Sequence, residues 1–228
     1  MKIDFHIHSK NSSDSFMSVD GIVRAAKKRG LDGVAIVDHN NLPDVRKKYK
    51  DFMVIKGEEV LTRGGEIIAF GIEKKIPKFK SITRTVELIK KQGGTIAIPH
   101  PFSFWRKGIF LGFKKIKSPF VFEAINGMAY FPFENYMASK YAQDHKLPVC
   151  AGSDAHRYKD IGNAYTVLPD ATSVDDALKS LLAGKGVPVG NKGSNWVNIH
   201  VLLKYMTKPI INPFFKRVSR SGSSNTNL

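Results

Sequence analysis

Five of the seven histidines stand at or just beyond the ends of short apolar runs, usually beside a carboxylate. The first run reads Asp4-Phe5-His6-Ile7-His8. With the two-residue period of a strand, Asp4, His6 and His8 share one face while Phe5 and Ile7 take the other. Two imidazoles on one face can chelate a single cation, and Asp4 could orient one of the rings. Later runs end in the same way: Val37-Asp38-His39, Gly57-Glu58-Glu59, Ile98-Pro99-His100-Pro101, Glu123-Ala124-Ile125-Asn126 and Gly152-Ser153-Asp154-Ala155-His156. One such ending arises easily by chance; a set of this size does not. His145 and His200 fall outside the pattern and read as surface or packing residues, and Cys150, inside an apolar run, reads as packing.

The elements that must position these groups alternate. Candidate strands are Lys2–Ile7, Gly33–Asp38, Phe52–Lys56, Glu66–Ile72, Thr95–Pro99, Phe120–Ile125, Pro148–Gly152 and Ala164–Leu168, mostly apolar runs of the kind buried on both faces. Ser18–Arg29, Ile82–Gln92, Pro132–His145 and Ser173–Ala183 read as amphipathic helices, with Ser18 and Ser173 as N-caps and Gly30, Gly93 and Gly184 just past the C-termini. Strand–helix repetition indicates an α/β barrel or an open parallel sheet. Residues 58–66 are too few for a crossover helix, so the third and fourth strands are expected as a hairpin-like exception. In either architecture the ends of the strands are where a site is built.

The motifs HIHS, VDH, GEE, IPHP and GSDAH, in that order, resemble the PHP (polymerase and histidinol phosphatase) superfamily over residues 1–190. The resemblance implies a distorted (β/α)7 barrel, a mouth holding two or three divalent ions, and phosphoester hydrolysis by a metal-activated water. Carried over by motif position, the first ion takes His6, His8, Glu59 and Asp154. The second shares Glu59 and adds His100. The third takes Asp14, His39 and His156, with Asp14 placed by its distance after His8 in a Ser-rich loop. Glu59 is preferred to Glu58 because the family spacing from Gly57 is G-x-E. Asp38, His39, Glu59 and Asp154 are the candidates for direct catalytic roles. For the second ion, Glu123 and Asn126 are further candidates, although strand alternation turns Glu123 outward. Many relatives carry His near position 66, where this chain has Glu66. Imidazole combined with carboxylate suits zinc, manganese or iron, whereas magnesium favours oxygen alone.

Composition bounds the rest. The 228 residues (25.4 kDa) suit one domain plus a tail, and 42% hydrophobic with 25% charged residues is a globular balance. No apolar run approaches the roughly 20 residues of a membrane helix, which excludes a spanning protein. The opening MKIDFHIHS is polar and strand-like, so no secretory leader is expected, and a single cysteine fits a reducing cytoplasm. The net charge of +16 is regional. No acidic residue occurs from Ala177 to Leu228, and Phe102–Pro119 carries Arg106, Lys107, Lys114, Lys115 and Lys117 without an acid. There Phe104 and Trp105 could stack a base while Arg106 and Lys107 hold phosphates; the plainer alternative is an insertion packed on the barrel. Arg157 is another candidate phosphate contact. Residues 191–216 read as a basic extension packed on the barrel and 217–228 as a flexible tail. The expected partner is an anionic phosphorylated substrate, with single-stranded nucleic acid as one form of it. A nucleic-acid scaffold and a metal-dependent amidohydrolase are the competing readings.

Overall fold

The computed structural model describes residues 1–45, 47–169 and 171–190. The expected extension 191–216, the tail 217–228 and His200 lie outside the described residues. The elements in chain order are β1 (Lys2–Ile7), α1 (Val19–Lys28), β2 (Gly33–His39), β3 (Met53–Thr62), β4 (Gly65–Phe70), α2 (Ile82–Lys91) and β5 (Thr95–Ile98). There follow a 3-10 turn, η1 (Phe110–Lys115), then β6 (Val121–Asn126), α3 (Pro132–Asp144), β7 (Val149–Gly152), a second 3-10 turn, η2 (Tyr158–Asp160), β8 (Ala164–Val167), α4 (Val174–Leu182) and β9 (Val187–Gly190). Ser18 and Ser173 cap α1 and α4 as expected, and Ser81 does the same for α2; each such cap stabilises its helix by ~1 kcal/mol. Gly30, Gly93 and Gly184 all adopt positive φ just past the helix ends.

The nine strands form one sheet in the order β7-β6-β5-β4-β3-β2-β1-β8-β9. The expected parallel arrangement holds for β1–β2–β3 and β5–β6–β7. Strand β4 is antiparallel to both neighbours, the hairpin exception expected after β3, and the parallel arrangement fails at β8, antiparallel to β1 and β9. The β3–β4 hairpin, turning through Arg63 and Gly64, confirms that the 58–66 segment cannot hold a crossover. Strand β9 was not expected, because its run is short and contains Pro188. Past its end, β7 returns to β1: Asp154 N donates to His6 O (2.7 Å), His8 N donates to Ala155 O (3.0 Å), and Ile7 and Ala155 form a parallel bridge. The sheet is thereby a nearly closed, distorted barrel, with β8 holding the lower half of the same β1 edge.

Ile3, Phe5, Val37, Ile55, Phe70 and Val121 fill the barrel interior, and α4 packs Leu178 and Leu181 into the same cluster. Phe5 and Phe70 meet edge to face at 5.7 Å, worth ~1 kcal/mol beyond burial. A register shift on β1 between Asp4 and Ile7 decides what lies above this core. Asp4 pairs with Val34 and Ile7 with Ile36, so three steps on β1 span two on β2. Phe5 and His6 therefore both point inward, and Asp4 leaves the imidazole face on which strict alternation places it. It accepts instead from the backbone N–H groups of Ser153 (2.8 Å), Gly162 (2.9 Å) and His6 (3.2 Å). A second shift on β6, between Glu123 and Ile125, keeps Glu123 and Asn126 on one side. The alternation that would turn Glu123 outward is thus overturned: it faces the mouth and is 2% exposed.

Among the described residues no helix is long and apolar enough to cross a membrane. The seam between β7 and β1 leaves no room for a side chain at Gly152, where a Cβ would stand 2.3 Å from His6 Cβ and 2.6 Å from His6 N. In urea denaturation of metal-free protein, Gly152→Ala is expected to lose ~3 kcal/mol, as an overpacked core does. Gly30→Ala, where the new Cβ meets nothing within 4 Å, should lose only ~1 kcal/mol for its left-handed backbone. Equal losses in the two variants would show that the seam is loose.

Candidate metal centre

Strands β1, β2, β3, β5, β6 and β7 end at the mouth, and β4, running the other way, begins there. The innermost donors are His6 Nε2 and His8 Nε2, 3.1 Å apart. Glu59 Oε2 lies 3.6 Å from both, and Asp154 Oδ1 lies 3.6 Å from His6 Nε2 and 3.2 Å from His8 Nε2. Two donors each ~2.1 Å from a shared ion stand roughly 3.0–3.6 Å apart at ordinary coordination angles. Glu59 Oε2 and Asp154 Oδ1 are also buried oxygens outside the hydrogen-bond network, although His39 Nδ1 stands 2.8 Å from Glu59 Oε2 as an ion pair. The other Glu59 oxygen, Oε1, meets His100 Nε2 at 3.0 Å. At the outer rim Asp14 Oδ2 is 3.4 Å from His39 Nε2 and 3.4 Å from His156 Nε2. Donors of His8, His39 and His156, of His6, His8 and Glu59, and of His6, His100 and Asp154 form groups that could each hold an ion.

The Nδ1 atoms of His6, His8 and His156 are engaged, which fixes those three rings, whereas His100 Nδ1 is buried without a hydrogen bond. His6 Nδ1 pairs with Glu123 Oε1 (3.0 Å), His8 Nδ1 with Ser12 Oγ (3.2 Å) and His156 Nδ1 with Asp154 O (2.9 Å). With Nδ1–H donating, Nε2 keeps a lone pair directed at the mouth. Asp38, expected in a catalytic role, sits behind this layer: it accepts from Ser9 N (2.6 Å), Ser9 Oγ (2.7 Å) and Ser12 Oγ (3.2 Å). It reaches His8 only through Ser12, itself held by His39 N at 2.8 Å. Glu123 is shared between His6, the His100 backbone N–H (2.6 Å) and Asn126 Nδ2 (2.9 Å), and Asn126 continues to Asp154 Oδ2 (3.0 Å). Ser12 was not singled out from the sequence; Glu123 was, as a candidate for the second ion, but here it holds the His6 ring and the His100 backbone N–H. His100 (φ 27°) and Asp154 (φ 54°) adopt left-handed backbone that non-glycine residues seldom take, a local strain typical of functional sites.

The candidate phosphate contacts divide. Arg106 enters the mouth, pairing with Asp154 and donating to Asn126 Oδ1 (3.3 Å) and Met128 O (3.2 Å). Lys107, more exposed, stands 3.6 Å from Glu66 Oε1. Arg157 instead pairs with Asp160 at 2.7 Å. Phe104 and Trp105 are exposed beside Arg106, their rings edge to face at 5.5 Å. Glu58 points away, its Oε2 accepting from Ile76 N (2.8 Å), while burial pushes its carboxyl up to about 7. His145 stacks on Tyr141 at 3.9 Å and Cys150 is buried, as expected of packing residues.

Charge follows this geometry. Burial opposes ionisation of Glu59, yet His6, His39 and His100 hold its carboxyl well below the usual range. Burial likewise works against Asp154, which Arg106, His6 and His8 hold low. Burial and the neighbouring His39 push His8 down to about 3, leaving a neutral imidazole. His39, despite burial, is held up at about 11 by Glu59 and Asp14. Burial and Glu59 push Glu66 up to about 7. Beside His39 opens a cavity of about 570 Å³ lined by Asn11, Ser13, Asn40, Asn41, Lys75 and Lys78.

Comparison with known proteins agrees with this architecture. The PHP domain family matches residues 4–99 and the PHP-associated family residues 132–185. The uncharacterized protein MJ1587 of Methanocaldococcus jannaschii is 40% identical over 118 residues, covering 45% of this chain and 69% of that protein. MJ0417 of the same organism is 30% identical over 171 residues, covering 72% and 69%. Among solved structures, PsfC from Pseudomonas syringae superposes with a TM-score of 0.64 at 15% identity, covering 90% of this chain and 96% of that one. A proposed metal-dependent phosphoesterase from Bifidobacterium adolescentis gives 0.57 at 15% identity (80% and 96%). An amidohydrolase from Chromobacterium violaceum gives 0.54 at 16% identity (78% and 96%). At these identities the structures speak for the fold alone. The matched PHP and PHP-associated families and the barrel with its histidine-lined mouth together place this chain in the PHP family.

Proposed function

We propose that this chain hydrolyses phosphoesters, using two or three zinc, manganese or iron ions at the barrel mouth. The observation that carries this reading is the pair of buried oxygens, Glu59 Oε2 and Asp154 Oδ1, which lack hydrogen bonds and face the His6 and His8 Nε2 atoms at ion-sharing distances. Buried carboxylate oxygens without hydrogen bonds are expensive even where the other oxygen is paired, and a cation relieves them. His6, His8, Glu59 and Asp154 would hold the first ion, Glu59 and His100 the second, and Asp14, His39 and His156 the third. When bound, such ions bring the pKa of a water toward roughly 7 and offset charge on phosphoryl oxygens.

The chain's own groups supply the rest. Ser12 and Glu123 keep the His8 and His6 lone pairs aimed. Arg106 offers its planar fork to a phosphoryl oxygen within reach of Asp154. Phe104 and Trp105 give a flat surface on which a base could stack, favouring a nucleotide or short single strand over other phosphorylated metabolites. The Asn- and Lys-lined cavity beside His39 suits a polar, anionic remainder of the substrate. Lys107 would add longer-range attraction, whereas Arg157 is committed to Asp160. The lone buried cysteine suits a reducing compartment such as the cytoplasm. An amidohydrolase would use the same mouth, and a nucleic-acid scaffold would have no use for its buried carboxylates.

Chelator-stripped protein should regain hydrolysis of aryl phosphate mono- or diesters on adding manganese or zinc. His6→Ala and Asp154→Ala should lower that rate roughly a hundredfold or more. Undiminished activity in metal-free variants would sink the reading, and faster amide than phosphoester turnover would favour the amidohydrolase. Glu123→Gln leaves an amide NH₂ facing either the His6 or the His100 N–H, so calorimetry should show ~10–100-fold weaker metal binding. Trp105→Ala should raise KM for a nucleotide about tenfold while leaving a ribose phosphate unchanged, the signature of lost stacking.

A further inference from the structure

Two polar side chains, Glu134 and Asn135, are buried side by side in the first turn of α3, on the face that also packs Ala138 and Ala142. Buried polar groups are held by partners, and these partners lead back to the mouth. Asn135 Oδ1 accepts from Asn126 N (2.9 Å) and Asn135 Nδ2 donates to Asn126 O (3.0 Å), which pins the end of β6. Glu134 Oε1 accepts from Ser103 Oγ (3.0 Å), and Oε2 accepts from Tyr130 N (3.0 Å). Both bonds of Glu134 converge on Arg106. Ser103 is the pivot of the loop that carries this arginine: its N donates to His100 O (3.0 Å) and its O accepts from Gly108 N (2.9 Å), so a closed turn brackets Arg106. A Cβ at Gly108 would stand 2.7 Å from Ser103 O, so the turn is tightly wound. Tyr130 lies under the guanidinium, its ring centroid 6.0 Å from Arg106 Cζ. Arg106 itself faces Asp154 Oδ2 and Asn126 Oδ1, whereas Asp154 Oδ1 is the oxygen turned toward His6 and His8. Arg106 and the first-ion donors thus use different oxygens of Asp154.

We infer that Glu134 is a positioning residue, which through Ser103 and Tyr130 sets the Arg106 guanidinium to take a phosphoryl oxygen; the inference rests on the phosphoester reading above. The segment 101–109 contains no helix or strand, and Lys107 holds left-handed backbone at φ 54°, so its shape depends on such ties. A guanidinium grips phosphate through a planar fork, and a modest rotation of that fork loses the paired bonds. The competing account makes Glu134 only a cap for α3, whose N-cap residue Phe131 offers no side-chain bond. Capping employs Oε2 and Tyr130 alone. It gives no role to the bond from Oε1 to the fully buried Ser103.

The test measures anion binding and needs no turnover. Wild type, Arg106→Ala, Glu134→Ala, Glu134→Gln, Ser103→Ala and the Arg106→Ala/Glu134→Ala double variant are loaded with manganese and titrated with inorganic phosphate by calorimetry. Elemental mass spectrometry and circular dichroism check that all are loaded and folded alike. Arg106→Ala should weaken phosphate binding roughly tenfold or more, the loss of a charge-assisted pair. Glu134→Ala and Ser103→Ala should each weaken it about fivefold. In the Arg106→Ala background, Glu134→Ala should add less than about twofold, because the two residues act as one unit. Glu134→Gln should bind within about twofold of wild type, since its amide can accept from Tyr130 N–H and donate to the Ser103 hydroxyl. Wild-type affinity in Glu134→Ala, or an equal loss with and without Arg106, would overturn the inference. Should Glu134→Ala fail to fold, Ser103→Ala alone and combined with Arg106→Ala decides by the same comparison. A loaded wild type that binds no phosphate is equally fatal. Phosphate binding in the expected pattern without any phosphoester hydrolysis would sink the hydrolytic reading and leave this one standing.

Discussion

Buried charge at the barrel mouth is the constraint that the remaining structure serves. Glu59 and Asp154 are fully enclosed, and each keeps an oxygen without a hydrogen-bond partner. A protein interior does not tolerate such atoms cheaply, and a cation shared with His6 and His8 would complete them. The surrounding layer acts on the donors: Ser12 and Glu123 hold rings, Asn126 and Arg106 share Asp154, and Asp38 anchors the loop that carries Ser12.

Placing so many polar groups on one end of an apolar barrel conflicts with strand alternation. Below the mouth the inward positions must be Ile, Val and Phe; at the mouth they must be His, Glu and Asn. The β1 bulge resolves this by turning Phe5 and His6 inward in succession, one closing the core and the next opening the site. The β6 bulge lets Glu123 and Asn126 act together although they are three apart. Reversal of β4 brings in a carboxylate from the start of a strand.

Much of this was legible from residue order alone. Apolar runs ending in His, Asp or Glu located the mouth, serine and glycine signals located helix ends, and the brevity of 58–66 revealed the hairpin. The failures have one physical origin. Strict period-two reasoning has no means of registering a bulge, so Asp4 was placed beside the imidazoles and Glu123 away from them. Asp38 carried the same strand-end signature as the ligands, and only its hydrogen bonds to Ser9 and Ser12 separate it from them. The reversal of β8 and the pairing of β9 depend on long-range partners that no local pattern encodes.

The seam between β1 and β7 has a thermodynamic consequence. The backbone bonds that close it belong to His6, His8, Asp154 and Ala155, so the segments bearing first-ion donors are those that join the two ends of the barrel. Any ion held only by the joined form adds RT ln(1 + [M]/Kd) to its stability, where [M] is the free ion concentration. Opening the seam and releasing the ion are then one linked equilibrium. The amide protons of His8 and Asp154 become its natural reporters, exchanging with solvent more slowly as the ion concentration rises.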